Sequence, residues 1–386
     1  MLSQRVREIE ASKSVGLVSL VTQLRQQGRD IISLSVGEPD LPPPPEVIEA
    51  THMALKNGHF TYGPVSGERE LREEIAKKLN NEKGFNIAAE NILVSNGSKQ
   101  ILYNLFQIMI NPGDEVIIPV PYWVTFPESV KLAGGVPVFV SCKKNFQLDV
   151  EKIKSAITRK TKAIILNSPN NPTGAIFANS DLKEICALAV KYNFQVISDE
   201  AYEFLTYESD SFRSPATFDK SFFNNVITVQ TFSKSHCMTG FRVGYMAANK
   251  ELITAMDKLQ GHVTGNVCSF AQFGAIAALK MDQTYFNDMK KIFMRRRDLA
   301  YSLYSKIFPC EQPQGAFYLF PKCDHLFGKF GKNSDQVAKA ILEKANVALL
   351  PGSAFGLEGY LRLSFASSEK MIEESYKRIK NMLDNQ

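Results

Sequence analysis

The sequence predicts an α/β protein with a large domain built on a mostly parallel central sheet and a smaller α+β domain. Between about residues 90 and 250, short apolar runs alternate with amphipathic helical patterns. This alternation is typical of a parallel sheet that helices cover on both faces. The last third has a different pattern, in which a long helical stretch precedes two strand-like runs. With 386 residues, of which 44% are hydrophobic, the chain can form two or three domains with large cores.

The larger part of the chain is expected to contain six strands, each a short apolar run. They are Ile92–Ser95, Glu115–Pro119, Val136–Val140, Ala163–Asn167, Gln195–Ser198 and Val226–Gln230. Helical periodicity predicts helices over Lys99–Ile110, Asp149–Ala156 and Ser180–Tyr192. Sheets of this kind bind ligands beyond the carboxyl ends of their strands, so functional residues are expected there.

The C-terminal third predicts a smaller α+β domain. A helical stretch from about Lys250 to Lys306 precedes the strand-like segments FYLFP and LRLSF, and further helices are expected over 334–345 and 368–384. The residues before about 40 are expected to pack with this part. The predicted division is an N-terminal arm and part of the small domain over 1–45, a large domain over 46–285 and the remaining small domain over 286–386.

Composition and charge exclude several classes of protein. Lys and Arg number 45 against 40 Asp and Glu, and the resulting net charge of +5 argues against binding to nucleic acid or to a membrane surface. No window approaches 18 apolar residues and the N-terminus lacks the apolar segment of a signal peptide. The six cysteines are far apart and form no C-x-x-C pair, so we expect reduced thiols, no metal site and a cytoplasmic location.

Polar clusters follow several of the predicted strands. In NILVSNGSKQ, Gly97 allows close approach of the backbone and Ser98 begins a helix, whose free N–H groups can bind a phosphate. An ordinary strand, turn and serine-capped helix would give the same pattern. Lys99 is less expected there, because a cation in the first helical turn opposes the helix dipole. It is either a solvated lysine or a residue that holds an anion.

Two further clusters follow the next strands of the sheet. In AIILNSPNNPTG, Asn171 precedes a proline, and the segment could be no more than a well-made turn. In FQVISDEAY, Asp199 directly follows an apolar strand and Tyr202 comes three residues later. A carboxylate in that place is costly to desolvate unless a cation pairs with it. Capping of a following helix by Asp199 is the structural alternative.

The segment VITVQTFSKSHCMTGFRVGY is the most specific of the clusters. Lys234 follows an apolar strand and a serine, and Arg242 comes eight residues later. Burial and a neighbouring cation both lower the pKa of a lysine. An amine in that environment can act as a nucleophile and form a Schiff base with a carbonyl group.

Together these motifs resemble the class I/II aminotransferases, which are pyridoxal-phosphate enzymes of fold type I, and most closely their bacterial-type aspartate aminotransferase subgroup. The resemblance covers almost the whole chain. It begins with SVGEPD at 35–40, continues through NPTG, DEAY and SK…TGFR, and ends with PGSAFG and LRLSFA. It implies pyridoxal 5′-phosphate as the cofactor, bound by the large domain, and small amino acids and 2-oxo acids as substrates.

The resemblance also implies a role for each matching residue. Lys234 would bind the cofactor covalently and then, as a free amine, move the substrate proton. Asp199 would pair with the pyridinium nitrogen, while Asn171 and Tyr202 would hydrogen-bond the 3-oxygen. The single tryptophan, Trp123, would stack on the ring. The phosphate would be held by Gly97, Ser98, Thr231, Ser233, Arg242 and, from the second subunit of a homodimer, Tyr62.

The substrate is expected to be a dicarboxylic amino acid. By resemblance, Arg362 would bind the α-carboxylate through its planar fork, with Gly37 as a backbone contact nearby. Lys99 would bind the side-chain carboxylate, so aspartate and glutamate are the favoured donors, 2-oxoglutarate and oxaloacetate the acceptors, and ping-pong kinetics are expected. Val18 departs from the polar residue common in the family near the substrate. Prephenate, aromatic amino acids or alanine therefore remain alternative substrates.

Smaller departures are Phe241 in place of tryptophan and Val267 in place of proline. Two other classes compete with the transferase. A carbon–sulfur β-lyase would share Lys234 and Asp199 but would not need Lys99. A ligand-sensing regulator of this fold would need a fused DNA-binding domain, for which the roughly 30 residues before SVGEPD leave no room.

Overall fold

Seven strands of the chain form one central sheet, as the computed structural model of the protein shows for residues 2–208 and 212–385. The strands of the whole structure are β1 Ile32–Ser33, β2 Ile92–Ser95, β3 Glu115–Val120, β4 Val136–Ser141, β5 Thr161–Asn167, β6 Gln195–Asp199, β7 Val226–Thr231, β8 Gly244–Ala247, β9 Tyr318–Leu319, β10 Val347–Ala348, β11 Leu350–Pro351 and β12 Leu361–Ser364. The order in the central sheet is β2-β8-β7-β6-β5-β3-β4, and β8 runs antiparallel to both of its neighbours. The predicted α/β class with a mostly parallel sheet is confirmed.

Helices cover both faces of this sheet. The helices of the described structure, including those that pack with the smaller sheets, are α1 Gln4–Glu8, α2 Lys13–Gln26, α3 Pro45–Lys56, α4 Arg69–Lys83, α5 Ser98–Met109, α6 Thr125–Leu132, α7 Val150–Ala156, α8 Asn179–Tyr192, α9 Phe232–Ser235, α10 Lys250–Val263, α11 Ser269–Leu279, α12 Gln283–Tyr304, α13 Ser334–Ala345 and α14 Glu369–Asp384. Alternate residues of β5 enter different cores, since Ile164 packs in one cluster and Ile165 in the cluster on the opposite face. Burial on both faces explains why these strands are continuous apolar runs.

The long helical stretch expected from Lys250 to Lys306 is three helices. The first ends before Gly265, which has a φ of 69° that favours glycine. The third begins at Gln283 and is capped by Asp282, whose side chain accepts a hydrogen bond from the backbone N–H of Thr284. Local capping therefore interrupts a pattern that periodicity alone reads as continuous.

Two smaller sheets lie outside the central one. Strands β11, β12 and β9 form an antiparallel sheet, and β1 pairs in parallel with β10, with Ile32 opposite Val347. This pairing places the residues before 40 against the C-terminal part of the chain. No helix within the described residues is both long and apolar enough to span a membrane.

The ends of three adjacent strands define where the site lies. Asn167, Asp199 and Thr231 are the last residues of β5, β6 and β7. Since the three strands are parallel neighbours, their terminal side chains meet at one edge of the sheet.

Candidate active site

A pocket of about 460 Å³ opens at this edge of the sheet. It collects residues from the sheet, from α2, α5 and α9, and from β9 and β12. The sequence-predicted residues on its wall are Gly37, Ser98, Lys99, Trp123, Asn171, Asp199, Tyr202, Thr231, Ser233, Lys234, Arg242 and Arg362. Segments far apart in the sequence thus meet at one place, since both Gly37 and Arg362 lie on the wall.

Lys234 lies in the short helix α9, directly after β7. Thr231 at the end of the strand caps this helix by accepting a hydrogen bond from the backbone N–H of Ser233. The Nζ atom of Lys234 donates to the backbone oxygen of Gly37 at 2.6 Å. Burial, with a smaller contribution from Arg242, lowers the pKa of Lys234 to about 8, although Glu38 opposes the shift. A substantial fraction of the amine is therefore neutral, and nucleophilic, near neutral pH.

Asp199 is a buried carboxyl group at the end of β6. Burial raises its pKa to about 7, and a hydrogen bond from the backbone N–H of Ala201 opposes this rise. The structural alternative of a helix cap is wrong, because the residues that follow form a turn rather than a helix. The nearby cation Lys234 also favours the ionised form. A cationic group bound against Asp199 would hold it as a carboxylate.

Asn171 and Arg362 form a buried pair on the pocket wall. The Nη1 atom of Arg362 donates to Oδ1 of Asn171 at 2.9 Å, and Nη2 donates to the backbone oxygen of Ser35 at 2.5 Å. The turn of NPTG is made by Asn170, whose Oδ1 accepts from the Thr173 hydroxyl at 2.8 Å. The turn therefore does not need the side chain of Asn171, whose Nδ2 group remains able to donate to a group in the pocket.

The start of α5 forms a cradle with Arg242. Gly97 precedes the helix with a φ of 81°, and a Cβ atom there would lie 2.7 Å from Nη2 of Arg242. Only glycine therefore lets Arg242 approach the helix start closely. Arg242 donates to the backbone oxygens of Thr239 at 3.0 Å and Asn96 at 3.2 Å, which fixes its guanidinium. Together with the hydroxyls of Thr231 and Ser233, 3.0 Å apart, the cradle suits an anion.

Lys99 lies at the pocket wall beside Trp123. Its Nζ atom is 5.2 Å from the centre of the Trp123 ring system. Burial lowers the pKa of Lys99, and the neighbouring Arg242 lowers it further. Lys99 nevertheless remains exposed to solvent, so its assignment to an anion rather than to solvent stays a prediction.

The charges of the pocket are unbalanced. Among the described residues on its wall, four side chains are cationic and Asp199 alone is acidic. The cations are Lys99, Lys234, Arg242 and Arg362. Such an excess of positive charge in one pocket favours a ligand that carries several negative charges.

Two predicted residues lie off the wall. Gly97 packs behind it, against Arg242. Tyr62 is 98% exposed and lies outside the pocket of the single chain.

Sequence reasoning missed several residues of the site. Tyr318 on β9 lines the pocket, and its hydroxyl is 2.7 Å from that of Tyr202. Asn167 donates to the backbone oxygen of Asp199 at 3.1 Å and accepts from the backbone N–H of Asn171 at 2.7 Å. Asn167 was available as the polar end of a predicted strand. Tyr318 gave no such signal, because it lies inside an apolar run.

Comparison with known proteins identifies relatives of full length. The family model for aminotransferase class I and II matches residues 29–379. A probable aspartate/prephenate aminotransferase of Aquifex aeolicus is 42% identical, over 99% of this chain and 98% of that one. The aspartate aminotransferase of Bacillus subtilis is 39% identical over 99% of each chain. The structure of the Thermus thermophilus aspartate aminotransferase with maleate is 37% identical, with a TM-score of 0.94 over 99% of each chain.

Proposed function

The chain belongs to aminotransferase class I and II and is a transaminase, and we propose that it binds pyridoxal 5′-phosphate and moves the amino group of aspartate or glutamate to a 2-oxo acid such as 2-oxoglutarate. One observation carries this proposal. The pocket holds a partly buried lysine of lowered pKa, a buried carboxyl group and three further cations around one cavity. A phosphate ester that bears a carbonyl group could react with the lysine, and its phosphate together with the two carboxylates of a dicarboxylic acid would balance the charges of the cations.

The residues present fit the cofactor of this family. Lys234 would bind it covalently, and Asp199 would pair with the ring nitrogen, because a buried carboxyl group gains most from a cationic partner. The start of α5 with Arg242 would hold the phosphate, and Asn171 and Tyr202 would donate to the 3-oxygen. When bound, pyridoxal phosphate supplies an electron sink for the negative charge that develops on the substrate α-carbon.

The chain's own residues then orient the substrate and move its proton. Arg362 binds the α-carboxylate by two parallel hydrogen bonds, which fixes the rotation of the substrate. Lys234, free once the substrate has replaced it, takes the α-proton as a base and returns it as an acid. Since the first product leaves before the second substrate binds, ping-pong kinetics follow.

Lys99 supports a preference for dicarboxylic substrates. Its ammonium group lies on the pocket wall, and among the described residues that line this pocket Asp199 is the one carboxylate. A second carboxylate on the substrate would neutralise it. The related Thermus enzyme was solved with maleate, a dicarboxylic acid. We therefore assign Lys99 to the side-chain carboxylate of aspartate or glutamate.

Replacing Lys99 with methionine is expected to change the choice of donor. Methionine keeps most of the length of the side chain but loses the charge, so kcat/KM for aspartate should fall by roughly 10- to 100-fold, the value of one charge-assisted hydrogen bond. The value for alanine should change little, because alanine has no second carboxylate. Steady-state assays with both donors decide the matter. Equal losses for both would contradict the assignment of Lys99.

Prephenate is a second candidate acceptor. The apolar side chains of Val15 and Val18 on α2 line the pocket and leave room for a substrate bulkier than aspartate. Relatives at about 42% identity carry the name aspartate/prephenate aminotransferase. Enzyme that has already taken up an amino group from a donor can be mixed with prephenate or with 2-oxoglutarate, and the rates at which the two acceptors remove that group can then be compared.

We also propose a homodimer whose sites lie at the subunit interface. A second pocket of about 590 Å³ adjoins the first and shares Lys99 and Arg242 with it. This opening at the phosphate cradle gives Tyr62 of a second copy a path to the cradle, and Tyr62 is 98% exposed in the single chain.

Mixing two defective variants tests this assembly. In a hybrid of Lys234→Ala and Tyr62→Ala chains, one site carries both defects and the other carries neither, provided Tyr62 acts across the interface. After random reassociation, roughly one quarter of the wild-type activity should return. If Tyr62 acts within its own chain, no intact site forms and the mixture stays at the level of its components.

The predicted domain division and location remain proposals. The parallel pair of β1 and β10 supports assigning residues 1–45, with 286–386, to the small domain, and 46–285 to the large one. The six free cysteines support a reducing compartment such as the cytoplasm.

A further inference from the structure

The hydroxyl group of Tyr318 lies in the pocket of the proposed cofactor, next to Tyr202, although no sequence motif indicated it. Tyr318 is 1% exposed and Tyr202 is 4% exposed, and their hydroxyl oxygens are 2.7 Å apart. The two rings meet edge to face, with centres 5.7 Å apart. This packing fixes both rings and leaves the hydroxyl protons as the mobile part of the contact.

Tyr318 is also held on its other sides. The guanidinium carbon of Arg362 lies 4.5 Å from the centre of its ring. A Cβ atom on Gly37 would collide with its hydroxyl oxygen, so the backbone of Gly37 packs directly against it. Gly37 in turn accepts the hydrogen bond of Lys234. Tyr318 thus contacts residues on the carboxylate side and on the amine side of the pocket.

The two tyrosine hydroxyls form one hydrogen bond, and only one of their two protons can lie between the oxygens. If Tyr202 donates to Tyr318, its proton is used within the pair. If Tyr318 donates instead, the proton of Tyr202 is free to point into the pocket. The direction of this one bond therefore decides whether Tyr202 can donate to a ligand.

The surrounding charges favour donation by Tyr318. Burial raises the pKa of Tyr318, but the cation Arg362 above its ring opposes the rise. Burial raises the pKa of Tyr202 well above its ordinary value, and Tyr318 and the carboxyl group of Asp199 raise it further, although Arg362 opposes the rise. Arg362 lowers the pKa of both hydroxyls, but its guanidinium lies against the ring of Tyr318, and Asp199 raises the pKa of Tyr202 alone. The more acidic hydroxyl of a pair is the better donor, and here that hydroxyl belongs to Tyr318.

We propose that Tyr318 is a positioning residue that donates its hydroxyl proton to Tyr202 and so directs the proton of Tyr202 toward the 3-oxygen of the cofactor. This inference rests on the proposed function, because Tyr202 needs an acceptor in the pocket. A hydroxyl that accepts one hydrogen bond is a stronger donor in the next. Tyr318 would thereby withdraw negative charge from the 3-oxygen without touching the cofactor.

The test is the pH midpoint at which the absorbance of the bound cofactor changes. Donation to the 3-oxygen lowers this midpoint, because less negative charge remains to hold a proton on the nitrogen joined to Lys234. Tyr202→Phe removes the donation and should raise the midpoint. Tyr318→Phe weakens the donation and should raise it by roughly 10–30% of that shift or more, in line with the cooperative strengthening of linked hydrogen bonds.

The double variant separates an indirect effect from a direct one. If Tyr318 acts only through Tyr202, Tyr202→Phe/Tyr318→Phe has the same midpoint as Tyr202→Phe alone. An additive shift in the double variant would overturn the proposal. An unchanged midpoint in Tyr318→Phe would do so as well. Tyr318→Phe keeps the ring that stacks on Arg362, so the KM for aspartate should stay close to that of the wild type.

Tyr304→Phe is the matched control for loss of a buried hydroxyl. Tyr304 is fully buried, and its hydroxyl is 2.8 Å from that of Ser375, away from the pocket. It should lower the Tm as much as Tyr318→Phe does but leave the midpoint unchanged. A midpoint shift in Tyr304→Phe equal to that in Tyr318→Phe would assign the effect to general loosening. Wild-type protein that takes up no pyridoxal phosphate would instead refute the proposed function itself.

Discussion

Lys234→Ala is expected to lower kcat by roughly 10⁴-fold, because proton transfer by a positioned group contributes up to about that factor. The variant also loses covalent attachment of the cofactor. Lys234 is the lysine with a pKa lowered to about 8 by burial, and it lies in the pocket with Asp199. Lys99 is the other amine among the described residues of the wall, but it is exposed to solvent beside Trp123, whereas Lys234 is partly buried and donates to the backbone oxygen of Gly37.

Single-turnover kinetics with aspartate measure this loss. Lys234→Arg is the matched control, because it keeps a positive charge but has no nucleophilic amine, and it should be as inactive as the alanine variant. A small primary amine such as ethylamine should restore part of the activity of Lys234→Ala, since it can enter the space left by the side chain and accept the proton. Near-normal turnover of Lys234→Ala without added amine would show that the base has been assigned wrongly.

Arg362→Ala is expected to lower kcat/KM for every amino donor by about 10²- to 10⁴-fold, the cost of leaving a buried carboxylate without its partner. Arg362 is buried, and Asn171 and Ser35 fix its guanidinium by hydrogen bonds of 2.9 and 2.5 Å. The aromatic rings of Tyr318 and Phe355 lie 4.5 and 5.0 Å from it. This support orients the guanidinium before the substrate arrives.

The pattern of the losses identifies the role of Arg362. Aspartate and alanine share an α-carboxylate, so Arg362→Ala should affect both donors equally, whereas the Lys99 variant should affect aspartate alone. Arg362→Lys keeps the charge but not the planar fork, and its kcat/KM should fall between the wild type and the alanine variant. A loss restricted to aspartate would assign Arg362 to the side-chain carboxylate instead.

Much of the fold was predictable from local patterns. The strands of the central sheet are buried on both faces, so they appear in the sequence as short apolar runs, and Ile92–Ser95 was predicted with its observed bounds. Strand β8 was not predicted. Its run Gly244–Ala247 has only four residues and begins with a glycine, and β2 and β7 pair with it on either side. The prediction of one helical stretch after Lys250 was wrong at the helix ends, because periodicity does not detect the capping residues that separate the three helices.

The site was predictable where polar residues follow apolar strands. Asp199 and Lys234 stand out because a charged group directly after an apolar strand is costly to bury unless a partner of opposite charge or a ligand pairs with it. Tyr318 could not be found in this way, because a tyrosine in an apolar strand is ordinary core material. Its importance arises from two contacts across the fold, one to Tyr202 and one to Arg362. Such contacts depend on packing between distant segments and leave no local trace.

The most direct measurement is a titration of the protein with pyridoxal phosphate bound, followed by absorbance without any acceptor present. We expect aspartate to remove the band near ~420 nm with release of one oxaloacetate per site, and 2-oxoglutarate to restore the band with release of glutamate. Alanine should act far more weakly. If no amino acid changes the band, or if pyruvate and ammonia appear from a cysteine conjugate instead, the chain does not catalyse the transfer proposed for it.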